Sequence, residues 1–265
     1  MAGSSVPTHG SAVDEVLIDG CRMTEVMHRP ALRISEHEHE TVKICILLEG
    51  AFVEREGVSI RSPQRMDVLV RLSRRPHANH YGGRGARSLL LEVPPDHRAA
   101  AGLHGIEGIA MGQPGTLRAA ASLVRTFRRS TDRAAGIRES MRLLLASIAG
   151  ARKVPPPAWL DAVREHVAEH WAEPLVLDEL AALACVHRVY LSQAFHRFFG
   201  QTLSGYSRAL RLFHAVELLR SAADLTGVAV DCGFFDQSHF IHAFQCQHQV
   251  APGQYRRAMA EADSP

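Results

Sequence analysis

Between about residues 14 and 95 the chain carries short apolar runs broken by glycine, proline and charge. Val42-Lys43-Ile44-Cys45-Ile46-Leu47-Leu48 is closed by Glu49-Gly50 and followed by Ala51-Phe52-Val53. Asp67-Val68-Leu69-Val70 and Ser88-Leu89-Leu90-Leu91-Glu92-Val93 come next, the last stopped by Pro94-Pro95. Runs this short, at this spacing, predict the antiparallel strands of a small barrel or sandwich. After Gly115 the period changes. Leu117, Ala120, Ala121, Val124 and Phe127 fall on one helical stripe, with Arg118, Arg125, Arg128 and Arg129 off it. A second stripe, Ile137, Met141, Leu144, Leu145 and Ile148, ends at Gly150. Lys153-Val154-Pro155-Pro156-Pro157 then reads as a stiff linker, and everything from Trp159 onward reads as helix.

Strands and helices are therefore segregated along the chain, which disfavours a doubly wound α/β fold. The expectation is a multidomain α+β protein. A flexible tail spans 1–13, a β-barrel 14–98, a helical connector 99–150, a linker 151–157 and an all-α domain 158–262.

Composition narrows the class. A chain of 265 residues with 46% hydrophobic and 22% charged residues, and a mean hydropathy of -0.07, reads as a soluble globular protein. No run approaches the roughly 18 apolar residues of a membrane span. The start MAGSSVPTHGSAVDE lacks the basic and apolar segments of a signal peptide, so a cytoplasmic protein with no membrane partner is expected. Five scattered cysteines without a CxxC pair fit a reducing compartment and argue against a cysteine zinc site. The net charge of +2 divides unevenly, into +6 over residues 1–154 and -4 over 155–265. The acidic excess lies ahead of residue 187, and residues 187–257 carry +3.

Two stretches of the helical half resemble each other. Leu180-Ala181 through Cys185-Val186, with Leu191 and Phe195, is echoed by Val228-Ala229 through Cys232-Gly233-Phe234, with Phe240 and Phe244. Each has a short helix with a small residue inside, a tight turn, and a second helix with two apolar residues four apart. That is the pattern of a helix-turn-helix, and a longer helix marked by Tyr206, Leu210, Phe213 and Val216 joins the two copies. Asp231-Cys-Gly-Phe-Phe-Asp-Gln-Ser-His-Phe240, with Phe244 and Val250-Ala-Pro-Gly-Gln-Tyr-Arg-Arg257, closely resembles the signature of the AraC/XylS family of bacterial transcription regulators. Leu175 to Leu219, with Phe198-Phe199-Gly200 and Arg211-Leu212, supports the resemblance, which covers about residues 158–258.

The resemblance implies seven helices and two recognition helices entering adjacent major-groove segments. It places Arg188, Val189, Ser192, Gln193 and His196 on the first reading face, and Gln237, Ser238, Ile241 and His242 on the second. Gln and Ser can bond base edges, and Val or Ile can pack on thymine methyls. The resemblance further implies double-stranded promoter DNA and RNA polymerase as partners, and a homodimer. Activation and repression both stay open. The Ile137/Met141/Leu144/Leu145/Ile148 stripe either packs on the barrel as core or faces a second subunit, and it is the candidate dimer contact. Two departures stand out. Cys185 occupies a turn position where the family usually has Gly, and Gln245-Cys-Gln-His-Gln249 replaces basic residues and a terminating Gly. The second implies lost phosphate contacts and a lost helix cap.

In the N-terminal half, Ser35-Glu-His37-Glu-His39 precedes one apolar run and Pro76-His77-Ala-Asn79-His80 follows another. This HxH pattern with Gly50 and the later His77 resembles a cupin, with Lys43 where a metal-binding cupin usually has Glu and Met66, Leu72 and Arg74 off the second motif. A cupin-like sensor barrel is therefore expected. Three imidazoles at His37, His39 and His77 are candidate ligands for Zn, Fe, Ni or Cu. An inward Lys43 opposes a bare cation and favours an anionic small-molecule effector, or a metal carrying an anionic co-ligand. A pocket whose histidines are only hydrogen-bonded is the third reading. The chain thus reads as a non-enzymatic transcription regulator with a sensing or dimerising N-terminal domain. A cupin-type metal enzyme fused to a helical domain, and a regulator that has lost DNA binding, are the alternatives.

Overall fold

The chain folds as two units, one built on a sheet with helices against it and one mainly helical. The computed structural model of the chain describes residues 9–97, 99–103, 108–109, 114–129, 134–150, 155–221 and 223–263. One unit comprises Met1–Phe52 with Pro63–Lys153, the other Val53–Ser62 with Val154–Pro265.

The first unit's strands are β1 (Ser11–Ile18), β2 (Cys21–His28), β3 (Arg33–His37), β4 (Val42–Glu56), β6 (Val68–Arg71), β7 (His77–Val93) and β8 (Gly108–Ile109), while β5 (Ser59–Arg61) pairs with the far end of β4. They form one sheet in the order β1-β2-β7-β4-β6-β8, with β3 beside β7. Among the described residues the two ends of that path do not pair, so the expected closed barrel is corrected to an open sheet. Closure needs a full edge-to-edge ladder. The outer strand β8 is two residues long and is occupied by Leu69 and Val70 of β6. β1 starts at Ser11, inside the expected tail; residues 1–8 and the linker residues 151–154 lie outside the described residues.

The unbroken apolar run of β4 has a two-sided cause. Val42, Ile44, Ile46 and Leu48 join Leu89, Leu91 and Val93 of β7 on one face, while Cys45 and Leu47 join Val26, Leu69 and Leu90 on the other. With a side-chain period of two, a strand covered on both faces needs no polar alternation. The first face is covered by α2 (Pro114–Arg129) and α3 (Ala134–Gly150), with the short α1 (Ala100–Leu103) beside them. The expected connector is therefore part of this unit's own core. Ile137, Met141, Leu144, Leu145 and Ile148 are 0–6% exposed against the sheet, which corrects their assignment to a dimer contact. On α2 the buried line is Ala119, Ala120, Leu123 and Phe127, whereas Leu117 and Ala121 are exposed. The docking is fixed by charge as well. Arg128 of α2 donates through Nε (3.0 Å) and Nη2 (2.6 Å) to the buried Glu25 of β2, which Arg87 of β7 also pairs. Those bonds hold the Glu25 carboxyl below its usual range, outweighing burial.

The second unit contains α4 (Ala158–Glu169), α5 (Leu177–Leu183), α6 (Arg188–Phe199), α7 (Leu203–Leu218), α8 (Leu225–Asp231), α9 (Gln237–His248) and α10 (Pro252–Asp263), the seven helices the resemblance implies. Thr202, Asp224 and Asp236 each accept a backbone N–H at the start of α7, α8 and α9. The β4–β5 hairpin belongs to this unit too, which sequence reasoning did not anticipate. Gln201 Nε2 donates to the Ile60 carbonyl (3.0 Å), Arg164 Nη1 to Ser59 Oγ (3.1 Å), and the Tyr206 hydroxyl to the Val58 carbonyl.

Met141→Glu places a carboxylate in the closed space between α3 and the sheet. It should cost about 3 kcal/mol or more of first-unit stability, since a buried charge without a partner is expensive. Denaturant unfolding followed by tryptophan-independent circular dichroism measures it. A variant of wild-type stability that merely changes oligomeric state would return the stripe to a role between subunits.

Candidate functional site

The two helix-turn-helix units close in the same way. After α5, Cys185 N–H donates to Ala182 O and Val186 N–H to Ala181 O, both at 3.0 Å. After α8, Gly233 N–H donates to Val230 O and Phe234 N–H to Ala229 O, both at 2.9 Å. This paired pattern around a left-handed residue is a Schellman turn. Gly233 has φ +70, and a Cβ there would collide with the Ala172 carbonyl, so only glycine fits. Cys185 has φ +51 and takes the same conformation with a side chain, as its place in the sequence implies. Leu191 and Phe195 of α6, and Phe240 and Phe244 of α9, bury the inner faces of the reading helices.

That packing turns the opposite faces outward. Arg188, Val189, Gln193 and His196 of α6 are exposed and Ser192 is half-buried; on α9, Ser238 and His242 are exposed and Gln237 and Ile241 are half-buried. Arg188 lies 3.6 Å from Asp178 with both side chains mostly in solvent, a pairing weak enough to exchange for a phosphate. Thr226 of α8 donates its hydroxyl to Gln237 Oε1 at 2.8 Å. Phe235, in the turn before α9, is 91% exposed. The end of α9 is also better formed than its sequence suggests. Gln249 adopts φ +65 and its N–H caps Gln245 O, so the cap survives without glycine.

Two arginines are committed elsewhere. Arg211 of α7 donates to the carbonyls of Trp171 (3.1 Å), Gly233 (2.6 Å) and Glu173 (2.6 Å). Arg256 donates to the carbonyls of Leu219 (3.0 Å) and Ala223 (2.7 Å). Both count towards the +3 of residues 187–257, yet both are engaged on backbone carbonyls. Arg188, Arg197, Arg208, Arg220 and Arg257 remain exposed.

The sheet unit holds a separate polar cavity of about 30 Å³ on the face away from α2 and α3, lined in part by His37, His39, Lys43, Arg71, His77 and Asn79. β3 ends at His37, so His39 lies in the following turn rather than on the strand; β7 begins with His77. The three rings nevertheless converge, with centroids 4.3–5.1 Å apart and candidate ligand atoms all within 4.8 Å of one another. His37 Nδ1 bonds the Ser35 carbonyl (2.9 Å) and His77 Nδ1 bonds the Arg75 carbonyl (3.0 Å). A carbonyl only accepts, so each Nδ1 carries the proton and each Nε2 keeps its lone pair. His39 Nδ1 is buried without a hydrogen-bond partner. Burial, then neighbouring positive charge, pushes the His39 imidazole down to about 2; burial pushes His37 down to about 4, against the bond to Ser35. Both are neutral at physiological pH. Lys43, expected to demand an anion, is instead paired at 2.8 Å with Glu92 of β7. Its charge is neutralised by the protein itself.

Residues 180–258 match a family described as a helix-turn-helix domain. The chain is 32% identical over 103 residues to regulatory protein SoxS of Escherichia coli K12, covering 38% of this chain and 90% of that protein. It is 33% identical over 101 residues to the HTH-type transcriptional activator RhaR of Klebsiella pneumoniae, covering 38% of this chain but only 36% of that protein. The DNA-binding domain of AdpA, solved with a target DNA, covers 42% of this chain at 26% identity and a TM-score of 0.38, with 97% of that chain matched. ToxT of Vibrio cholerae covers 90% of this chain and 97% of its own at 10% identity and a TM-score of 0.39. Those two scores are too low to add to the sequence matches. The chain belongs to the AraC/XylS family of DNA-binding transcription regulators, and it is a regulator rather than an enzyme. Within the described residues no helix is long and apolar enough to cross a membrane.

The left-handed Cys185 yields a simple test. Cys185→Gly should raise the stability of the second unit by up to about 1 kcal/mol, because glycine adopts φ +51 without steric cost. Equilibrium denaturation measures it. A destabilised variant would mean that the Cys185 side chain contributes more through its contacts than it costs in backbone strain.

Proposed function

We propose that this protein is a sequence-specific promoter-binding regulator, acting as a homodimer with RNA polymerase as its partner, whose N-terminal unit senses a metal ion at His37, His39 and His77. The observation that carries the DNA reading is the pair of like-built helix-turn-helix units with α6 and α9 facing solvent. RhaR is named an activator, and activation is the direction proposed here. Gln193 is the leading base contact on α6. The alternative of a regulator without DNA binding loses its main support, since α9 retains its cap at Gln249. The homodimer must use a surface other than the buried face of α3.

Size and chemistry favour an ion over an organic effector. About 30 Å³ accommodates two or three waters and no sugar or aromatic acid. Two of the histidines have backbone partners that leave Nε2 as a ligand atom, the outer arrangement common around metal-bound imidazoles. In a tetrahedral site, metal–nitrogen bonds of about 2.1 Å hold ligating nitrogens roughly 3.4 Å apart, so the cluster has to close by about 1.4 Å at its widest. With no carboxylate among the three, and Lys43 already paired, a borderline metal such as Zn, Ni or Cu suits the donor set better than Mg or Ca.

Promoters occupied in the cell, mapped genome-wide, supply the DNA for titration at several salt concentrations. Five exposed arginines per subunit should give a log–log salt slope no steeper than about -5 for each subunit bound, or about -9 for the dimer. Gln193→Ala should cost about 1–3 kcal/mol on the mapped site and almost nothing on random DNA. Equal losses on both would show that Gln193 does not read bases, and salt-independent binding would remove the DNA reading altogether.

Elemental analysis of protein purified without an affinity tag tests the histidine cavity. One equivalent of metal, absent from the His37→Ala/His39→Ala double variant, is the expected outcome. Metal-free wild type that shows no change in melting temperature when titrated with Zn²⁺, Ni²⁺ or Cu²⁺ would overturn the sensor.

A further inference from the structure

Gln237 opens α9, and its side chain is not free to swing. The Thr226 hydroxyl, on the exposed side of α8, donates to its Oε1 at 2.8 Å. The two residues are eleven positions apart in sequence and meet only because the turn at Gly233 folds α9 back across α8. Thr226 is not needed to start its own helix. Asp224 already caps α8, its Oδ1 accepting from Gly227 N–H at 2.7 Å. Asp236 likewise caps α9 through His239 N–H at 2.7 Å, which leaves the Gln237 side chain out of the capping network. The Thr226–Gln237 bond therefore has no evident task within the helix ends.

Its effect is on orientation. A carboxamide has an acceptor end and a donor end pointing about 120° apart. A freely rotating glutamine can present both to adenine, accepting from N6 and donating to N7. With Oε1 turned to Thr226, the Nε2 hydrogens point away from α8, and the outward end of Gln237 is a donor. We propose that Thr226 is a positioning residue that sets Gln237 as a hydrogen-bond donor, so that the second reading helix selects the acceptor edge of guanine (N7 and O6) over adenine. This inference rests on Gln237 reading bases, the role that the resemblance to the AraC/XylS family implies for it and that belongs to the promoter-binding function proposed above. It adds a specificity determinant outside both recognition helices.

The full-length protein and its Thr226→Val, Thr226→Ser and Gln237→Ala variants are each used to select sites from a random DNA library, and the bound sequences are compared. Gln237→Ala should erase the preference at one base position. Thr226→Val, of nearly the same shape but unable to donate, should reduce the guanine preference at that same position on the order of ten-fold, leaving other positions and the melting temperature unchanged. Thr226→Ser, which keeps the hydroxyl, should retain it, and adding Thr226→Val to Gln237→Ala should change nothing further. If Gln237→Ala alters one position and Thr226→Val does not, the positioning role is refuted while base reading by Gln237 stands. If Gln237→Ala alters no position, Gln237 is not a reader and both statements fall. Wild-type selection of adenine at that position would overturn the donor assignment.

Discussion

The second unit is organised around one guanidinium. Arg211 reaches from α7 to three carbonyls, two in the segment after α4 and one at the turn between α8 and α9. The partners lie where the backbone is most crowded, beside the place at which the Ala172 carbonyl leaves no room for a side chain at residue 233. The Trp171 and Gly233 carbonyls are partly shielded from solvent, where an unmet acceptor costs more than an ordinary hydrogen bond contributes. A planar cation with five N–H groups meets all three at once, which a lysine could not do. Burial pulls the Arg211 guanidinium down from its usual range, yet it remains charged at any physiological pH. The angle of the second reading helix follows from this arrangement, and so does the meeting of α8 with the first residue of α9.

The sheet unit solves the opposite problem, keeping charge beneath a two-sided apolar sheet. Glu25, Lys43 and Glu92 are all buried, and each is matched: Glu25 by Arg87 and Arg128, Lys43 by Glu92. The histidine cluster is the exception. Burial and the positive charge nearby keep His37 and His39 neutral, and the three rings include no carboxylate. Its imidazoles are uncharged, so they can take up a metal ion without first losing a proton, with the Arg71 charge nearby.

What could be read from the sequence depended on whether the relevant physics is local. The two helix-turn-helix units were legible because their signals lie within about twenty residues: small residues at the crossing, apolar pairs four apart, and a left-handed turn that Cys185 adopts as its position implies. The fate of Ile137, Met141, Leu144, Leu145 and Ile148 was not, because periodicity identifies an apolar face but not what covers it. Lys43 looked unpaired for a similar reason, since its partner Glu92 is brought near only by the pairing of β4 with β7. A charge count could not reveal that Arg211 and Arg256 are spent on backbone carbonyls. Nor could strand-sized runs reveal an open sheet, because closure is a property of the edges and β8 lies far along the chain in a segment read as helical.

The hairpin at Val53–Ser62 has a practical corollary. Although a proline-rich stretch at Pro155–Pro157 invites a cut, the DNA-reading unit is discontinuous in sequence. A fragment starting at Val154 would forfeit Ile60 and leave the Tyr206 hydroxyl and the Gln201 amide facing the gap where the Val58 and Ile60 carbonyls had been. Excision at the proline-rich stretch therefore separates the reader from contacts that the hairpin supplies. Any transplant would have to carry ten residues from the middle of the sheet domain along with it.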